Sequence, residues 1–366
     1  MHLRNIYLNN FRNIKEARLS FSSGINCIAG MNGSGKTNLL DAIYYLSVTK
    51  SFFTTADNIV VNHESTAFAI SGEYVREDNT EENIHITFGR NGEKLVKRND
   101  KPYNRMSDHI GLIPVVMVSP YDTSLINDSG EERRRFLNMI LSQTDKEYLR
   151  RVQSYNQLLI QRNKLLKQSG DNRELLILMS EQMAPHADYI FKKRASFCDE
   201  VIPVASDFYS KLSGGNESIN IEYKSELQDS SLFDLHKDSL DKDLILKHTT
   251  AGIHRDDMIF SLDGHQIRRF GSQGQQKSFL ISLKLSQYMI TKNGAGRKPI
   301  LLLDDIFDKL DQGRVERLLL LTAGNDFGQI FITDSNKIRL DDILGRIGGD
   351  NSLFLVQNGH IESLKQ

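Results

Sequence analysis

Gly30-Met31-Asn32-Gly33-Ser34-Gly35-Lys36-Thr37 spells G-x-x-x-x-G-K-T, and its neighbours on both sides decide how it is read. Before it runs an apolar segment with strand character, Ile25-Asn26-Cys27-Ile28-Ala29. After it comes Asn38-Leu39-Leu40-Asp41-Ala42-Ile43-Tyr44-Tyr45, which reads as an amphipathic helix. A phosphate-binding loop requires this strand–loop–helix context. The glycines let backbone N–H groups turn inward around phosphates, and the helix N-terminus adds its positive end. Gly30, Met31, Asn32, Gly33, Ser34, Gly35, Lys36 and Thr37 are therefore expected to bind the phosphates of ATP. Lys36 would reach the β/γ-phosphates and Thr37 would hold Mg²⁺ through its hydroxyl.

The 366 residues suffice for about two domains, or one large domain with an insertion. Basic and acidic side chains number 46 and 47, for a formal net charge of −1. Such balance gives no long-range attraction to a polyanion, so a nucleic-acid partner would require basic residues gathered on one face. The two cysteines, Cys27 and Cys198, are too few for a disulfide framework or a zinc site, and Cys27 reads as a buried strand residue. Met1-His2-Leu3-Arg4-Asn5-Ile6 lacks a signal-peptide pattern, and no apolar run approaches about 18 residues, so a cytoplasmic protein without a membrane partner is expected.

Working outward from the loop, Leu3, Ile6, Leu8 and Phe11, then Ala17, Leu19 and Phe21, alternate as two early strands. Phe68-Ala69-Ile70-Ser71-Gly72-Glu73-Tyr74 and Ile84-His85-Ile86-Thr87-Phe88 continue as short strands between polar turns, which predicts an antiparallel sheet flanking the nucleotide site. From Glu131 to about Ser210 the pattern becomes helical and charged. Ser213-Gly214-Gly215-Asn216 closes that lobe, Ile219 to Tyr223 resumes strand alternation, and Gln228 to Lys247 reads as surface helix or loop. Sustained a/d heptads are absent, so the inserted lobe is expected to be compact and any coiled segment short.

Near the C-terminus, Pro299-Ile300-Leu301-Leu302-Leu303-Asp304-Asp305 reads as a buried parallel strand delivering two carboxylates to its C-terminal edge, where open α/β sheets bind ligands. Asp304 can bind Mg²⁺, directly or through water, and Asp305 can orient or deprotonate an attacking water. Ser272-Gln273-Gly274-Gln275-Gln276 opens a strongly helical run from Lys277 to Leu285. It resembles the S-x-G-Q signature of ABC-type ATPases, and Asp308-Lys309-Leu310-Asp311 resembles their D-loop. A serine-capped helix start is the plainer reading of Ser272. The order of P-loop, helical insertion, signature, carboxylate strand, D-loop and a further buried strand, Ile330-Phe331-Ile332-Thr333, favours the resemblance.

In that superfamily the signature of one subunit covers the γ-phosphate held by the P-loop of the other. The resemblance thus implies an ATP-gated homodimer in which Ser272, Gly274, Gln275 and Asp311 contribute to nucleotide binding, with Lys36, Asp304 and Asp305 catalytic. The expected fold is an α/β, ABC-type ATPase head, a P-loop NTPase with a flanking antiparallel sheet and an inserted mainly helical lobe. Lobe I would comprise residues 1–118 and 291–366, with the P-loop, the Walker B carboxylates and the D-loop. Lobe II would comprise residues 119–290, with the signature near 272–276.

Leu8-Asn9-Asn10-Phe11-Arg12-Asn13 resembles the opening L-x-N-F-R-N of the RecF family and its SMC-like relatives. Ser119-Pro120-Tyr121-Asp122, Arg134-Arg135-Phe136-Leu137-Asn138 and Gly252-Ile253-His254-Arg255-Asp256-Asp257 extend the likeness almost end to end. Departures fall at Tyr121, Asn138, Ile253 and Asp308, none a phosphate or Mg²⁺ ligand. Asp305 stands where most transporter ATPases carry Glu, and its shorter reach should slow hydrolysis. Thr333 stands near their γ-phosphate-sensing His. The resemblance implies an ATP-dependent DNA-binding protein of recombinational repair and replication-fork maintenance, with weak ATP hydrolysis as a switch. It would bind double-stranded, gapped or junction DNA, and with RecR and RecO help load RecA, supporting the SOS response.

Arg133, Arg134, Arg135, Arg150, Arg151, Arg162 and Lys164 supply basic density suited to DNA phosphates, or form an ordinary solvated helix face. His254 and Arg255 suit either the nucleotide or dimer seam or a satisfied turn, and Arg12 and Asn13 are candidates for contact with the base or phosphates. Three other readings compete. A transporter ATPase subunit would need a coupling Gln that Val118 to Asp122 lacks. A small-molecule kinase would have no use for a signature and D-loop, and an SMC-like tether would need long heptad arms.

Overall fold

The computed structural model describes residues 1–168, 170, 172–215, 217–308, 310–346 and 349–365. Asn216 of the expected turn and Lys309 of the expected D-loop lie outside the described residues. The chain divides into two compact units, Met1–Asp122 with Gln287–Gln366, and Thr123–Ser286.

In the first unit, β1 (His2–Phe11) and β2 (Ile14–Ser20) precede β3 (Ile25–Ala29), α1 (Lys36–Val48), β4 (Ala67–Val75), β5 (Glu81–Gly89), β6 (Lys94–Arg98), β7 (Lys101–Pro102) and β8 (Val115–Val118). The second unit contains α2 (Ser124–Asn127), α3 (Gly130–Thr144), α4 (Lys146–Leu166), α5 (Arg173–Ser213), β9 (Ile219–Lys224), α6 (Leu232–Asp238), α7 (Leu240–Leu246), β10 (Asp257–Leu262), β11 (His265–Gln266) and α8 (Ile267–Phe270). Helix α9 (Gln273–Ala295) begins there and ends in the first unit. That unit is completed by β12 (Ile300–Leu303), α10 (Gln312–Thr322), β13 (Ile330–Asp334), α11 (Lys337–Arg346), β14 (Asn351–Gln357) and β15 (His360–Lys365).

Two six-stranded sheets build the first unit. One, ordered β2-β1-β4-β5-β6-β7, is antiparallel, and its half-buried strands show the expected alternation. The other is ordered β15-β14-β3-β13-β12-β8, parallel except at the β15 edge. Its strands β3, β8, β12 and β13 are buried at every position, which is why they read as continuous apolar runs. The α/β architecture with a flanking antiparallel sheet is thus the one expected. Helix α1, however, is not amphipathic: every residue from Leu39 to Ser47 is buried, Asp41 included. The helix contacts strands of both sheets. Phe11, Tyr45 and Phe68 meet edge to face at centroid separations of 5.3 to 6.0 Å, joining β1 and β4 to α1.

The second unit is the expected mainly helical lobe, with a small antiparallel sheet ordered β11-β10-β9. Helix α5 is long. It runs for 41 residues, about 60 Å, through Pro185 and Pro203. Its buried face steps through Leu176, Ser180, Met183, Ala187, Ile190, Arg194, Phe197 and Val201, the spacing of a packed helical seam. Ser180 and Arg194 interrupt the apolar character of this stripe, so no heptad stands out in the sequence.

Arg194 is the hub of this unit. Its guanidinium donates to Asp256 Oδ2 at 2.7 Å, the Ile253 carbonyl at 2.8 Å, Tyr148 Oη at 3.1 Å and Asn138 Oδ1 at 3.1 Å. Two of the family-like segments therefore supply partners to a buried cation. No described helix is long and apolar enough to cross a membrane.

Candidate functional site

The loop after β3 folds as a strained, glycine-dependent turn. Gly33 and Gly35 take φ of +78° and +116°, in the left-handed region where a side chain is costly. A Cβ on Gly30 would lie 2.5 Å from the Val356 carbonyl oxygen, so the strand-to-loop exit admits only glycine. Lys36 opens α1 and is buried, its Nζ donating to the carbonyls of Gly30 at 2.7 Å and Met31 at 3.2 Å. Met31, Asn32 and Gly33 are exposed at the rim. Inside the loop, the Ser34 hydroxyl is buried and makes no hydrogen bond. Such an orphan suits a phosphate oxygen.

Two segments that sequence reasoning did not connect hold the loop. The Ser34 carbonyl accepts from Asn13 Nδ2 at 3.1 Å and from the Gly359 N–H at 2.8 Å. Gly359 sits in the β14–β15 turn. Asn358-Gly359 is a hairpin signal legible in the sequence, but its approach to the loop is not. Arg12 is committed elsewhere than expected. Its Nε lies 2.9 Å from Asp41 Oδ2, and its terminal nitrogen bonds the Ser51 hydroxyl at 2.9 Å. Arg12 thus fixes α1 rather than presenting a free cation.

Across β13 from the loop, the strand β12 ends at Asp304. Thr37 Oγ1 donates to the Asp304 carboxylate, 3.0 Å from each oxygen, and Thr333 Oγ1 donates to Oδ1 at 2.8 Å. Burial pushes the Asp304 carboxyl above the usual carboxylate range, opposed by these hydroxyls and reinforced by Asp305. Thr333 is buried and also accepts the Asp305 N–H at 2.9 Å. It braces both acids rather than standing free as a sensor. Asp305 adopts a φ of +47°, a conformation that a non-glycine residue holds only where its surroundings impose it, as functional sites often do.

Lys36, Thr37, Asp304, Asp305 and Thr333 therefore come together. Asp311 caps α10, accepting the Arg314 N–H at 3.0 Å, and is exposed. The signature segment belongs to the second unit. Ser272 caps α9, with Ser272 Oγ accepting the Gln275 N–H at 3.3 Å and Gln275 Oε1 accepting the Ser272 N–H at 2.7 Å. This reciprocal capping box occupies Gln275, which was expected to face the nucleotide.

The basic candidates divide. Arg162 is fully buried, paired with Asp243 at 2.7 Å, and Arg133 is held by Asp257 at 2.6 Å, so neither is a solvent-facing phosphate contact. Arg134 donates to the Asp256 carbonyl. Arg150 and Arg151 bind Glu147, at 2.6 and 2.5 Å. His254 is a satisfied turn residue. Its Nδ1 bonds the Tyr155 hydroxyl at 2.9 Å, its Nε2 lies 3.2 Å from the Thr249 carbonyl oxygen, and burial lowers its pKa to about 4. Arg135, Lys164 and Arg255 remain exposed.

The profile of the RecF/RecN/SMC N terminal domain family matches residues 2–343. A DNA replication and repair protein RecF from Bacteroides fragilis is 44% identical over 367 residues, covering 100% of this chain and 99% of the relative. A solved structure of the recombination mediator protein RecF with ATP, from the RecFOR pathway, is similar with a TM-score of 0.89 at 30% identity, covering 99% of this chain and 97% of that one. The Smc head bound to the C-winged helix domain of ScpA shares the fold alone, with a TM-score of 0.60 at 16% identity over 100% of this chain and 98% of its own. The chain belongs to the RecF family, ATP-binding ATPases of DNA replication and repair built on the ABC-type head.

Proposed function

We propose that this protein is an ATP-dependent DNA-binding protein of recombinational repair and replication-fork maintenance, in which ATP joins two copies of the chain around DNA. The observation that carries the reading is the meeting of Thr37 Oγ1 with both oxygens of Asp304 at 3.0 Å, which closes the P-loop onto the carboxylate strand. In this reading the loop of residues 30–37 holds the phosphates and Lys36 exchanges its carbonyl partners for the β/γ-phosphates. The orphaned Ser34 hydroxyl gains a partner there.

Mg²⁺ fits the donors present. It takes hard oxygen ligands and is commonly shared between one or two carboxylates and the nucleotide's phosphates. Thr37 and Asp304 supply such oxygens, whereas the described residues contain no group of three or more His, Cys, Asp or Glu able to cage a metal. When bound, the ion supplies neutralising charge for the phosphates. Asp305, held by the Thr333 hydroxyl, orients or deprotonates the attacking water. Its short side chain favours slow turnover, suited to a switch. Ser272 and Gly274, with Asp311, complete the site from the second copy.

Residues 1–118 and 291–366 would then act as the ATP-binding lobe and residues 119–290 as the second lobe. The solved RecF–ATP structure supports the nucleotide, and its RecFOR context supports RecR and RecO as partners. In this reading they help load RecA on gapped or junction DNA in the cytoplasm. The test is molar mass by light scattering, together with affinity for gapped DNA, with ATP, with ADP and without nucleotide. An ATP-dependent dimer that binds DNA and is lost in Lys36→Met is expected. Absence of both would refute the reading.

A further inference from the structure

The signature turn is held by more than its own cap. Gln275 presents its amide oxygen to the Ser272 N–H, and its amide nitrogen donates to Glu217 Oε1 at 2.7 Å. The second oxygen, Glu217 Oε2, accepts from the Tyr209 hydroxyl at 2.5 Å. Tyr209 is buried in the last turns of α5, and Glu217 lies in the link before β9.

We infer that Glu217 is a positioning residue for the signature turn. A glutamine amide can serve its neighbours in two orientations that exchange donor for acceptor. Both Glu217 oxygens act as acceptors, one for Gln275 and one for Tyr209, so Glu217 permits just one of them, with Nε2 toward itself and Oε1 toward the Ser272 N–H. That orientation closes the capping box. The box uses the N–H groups of Ser272 and Gln275, and the Gln276 N–H bonds the Ser272 carbonyl at 2.9 Å. The N–H groups of Gln273 and Gly274 make no hydrogen bond among the described residues. With the Ser272 O–H proton, they are the donors of this turn left for an anion. Tyr209 anchors the carboxylate to the end of α5. The turn's geometry is thereby set before any phosphate arrives, and a preorganised donor set binds without first having to be ordered.

The inference rests on the reading of the signature as the part that meets the nucleotide of a second copy, and the experiment separates the two. ATP-dependent dimerisation is measured by analytical ultracentrifugation, and ATP binding by the monomer is measured in parallel with a fluorescent ATP analogue. Ser272→Arg serves as a variant with its signature blocked. Glu217→Ala is expected to weaken the ATP-dependent dimer by about tenfold, the loss of roughly one charge-assisted hydrogen bond. Monomer ATP binding should stay near wild type, and the melting temperature should fall only by the few degrees that two lost hydrogen bonds cost. Glu217→Gln should restore dimerisation to within about threefold, because its carbonyl accepts from Gln275 and its amide donates to the Tyr209 oxygen. Tyr209→Phe, which removes a single hydroxyl, should fall between them. If wild type dimerises with ATP and Glu217→Ala does so equally well, the positioning role is overturned. Equal loss in Glu217→Gln and Glu217→Ala also overturns it. If wild type forms no ATP-dependent dimer, or Ser272→Arg leaves the dimer intact, the underlying reading fails instead.

Discussion

Replacing Gly359 by alanine tests whether the C-terminal hairpin holds the phosphate loop in shape. Gly359 has a φ of +81°, and a Cβ there would stand 2.2 Å from the Asn13 carbonyl oxygen. A carbon–oxygen contact wants about 3.5 Å, so the turn must retreat by roughly 1 Å, and its obstacle is backbone that cannot rotate aside. That retreat stretches the 2.8 Å bond from the Gly359 N–H to the Ser34 carbonyl past the distance at which it counts. Its loss costs about 1 kcal/mol, and the left-handed backbone costs an alanine about another 1 kcal/mol. Native stability should fall by about 2 kcal/mol. If half or more of this appears in the loop, the dissociation constant for ATP should rise about 5- to 30-fold.

Gly92→Ala is the matched control. Its φ is +89°, and nothing lies within 4 Å of a Cβ there, so it carries the conformational cost without the clash. Isothermal titration with ATP and thermal melting of both variants form the assay. Weakened binding in Gly359→Ala alone supports the latch. An ATP affinity within twofold of wild type, with melting lowered equally in both variants, would refute it.

Other outcomes follow from the buried charges. The folded pKa of Asp304 lies above its unfolded value, so the ionised form costs stability at neutral pH, and that cost fades as pH falls to and below the folded value. Asp304→Asn should therefore raise the nucleotide-free melting temperature while abolishing Mg²⁺-dependent ATP binding; a lower melting temperature would contradict the assignment. His236 and His254 show the opposite case: burial lowers both pKa values from 6.5 to about 4. Their stabilisation is complete above pH 6.5 and drains as pH falls toward 4, by about 3 kcal/mol each, which urea titrations across that range would reveal. A double Gln variant that loses stability as steeply would exclude them as the cause. Arg162→Met leaves Asp243 buried and unpaired, so roughly 3–5 kcal/mol should be lost, whereas Arg150→Ala at an exposed pair should change stability by less than about 1 kcal/mol. Equal urea midpoints for the two variants would show the buried pair to be no stronger than the exposed one.

The parallel sheet was legible because burial on both faces leaves runs such as Ile300-Leu301-Leu302-Leu303 with no polar interruption. The flanking sheet was legible for the opposite reason, since one solvated face imposes alternation. What escaped the sequence was whatever depends on partners far along the chain. Arg162 sits in a helix among Lys and Gln and looks solvated, and only Asp243, 81 residues later, makes it a core residue. Arg194 and Ser180 hide the buried seam of α5 in the same way. Within the site, the residues adjacent in sequence were readable, but the bonds from Asn13 and Gly359 to Ser34 join positions 21 and 325 residues apart. Glu217 carries no motif at all. Its role is visible only because Gln275 turns an amide toward it.

The geometry also bears on why ATP, and not mere occupancy, would act as the signal. The principal charges at the loop find partners within the chain: Lys36 holds two carbonyls, and Asp304 holds two hydroxyls. Binding a phosphate is then an exchange, favourable because a charged acceptor replaces neutral ones, with the Ser34 hydroxyl as a net gain. Such an exchange is available to the β-phosphate of ADP as well as to ATP, so it cannot by itself distinguish them. In the proposed reading only the γ-phosphate reaches the donors of Ser272, Gln273 and Gly274 on a second copy. Its contribution alone biases the monomer–dimer equilibrium, because a ligand shifts an equilibrium only by the difference in its affinity for the two states. A hundredfold shift requires about 2.8 kcal/mol, within reach of two or three charge-assisted hydrogen bonds. In the same reading, hydrolysis would remove that difference at a stroke while leaving the bonds to Lys36 and Ser34 in place. Release of the partner copy should therefore precede release of ADP, and stopped-flow traces in which labelled ADP departs before the dimer dissociates would overturn this order.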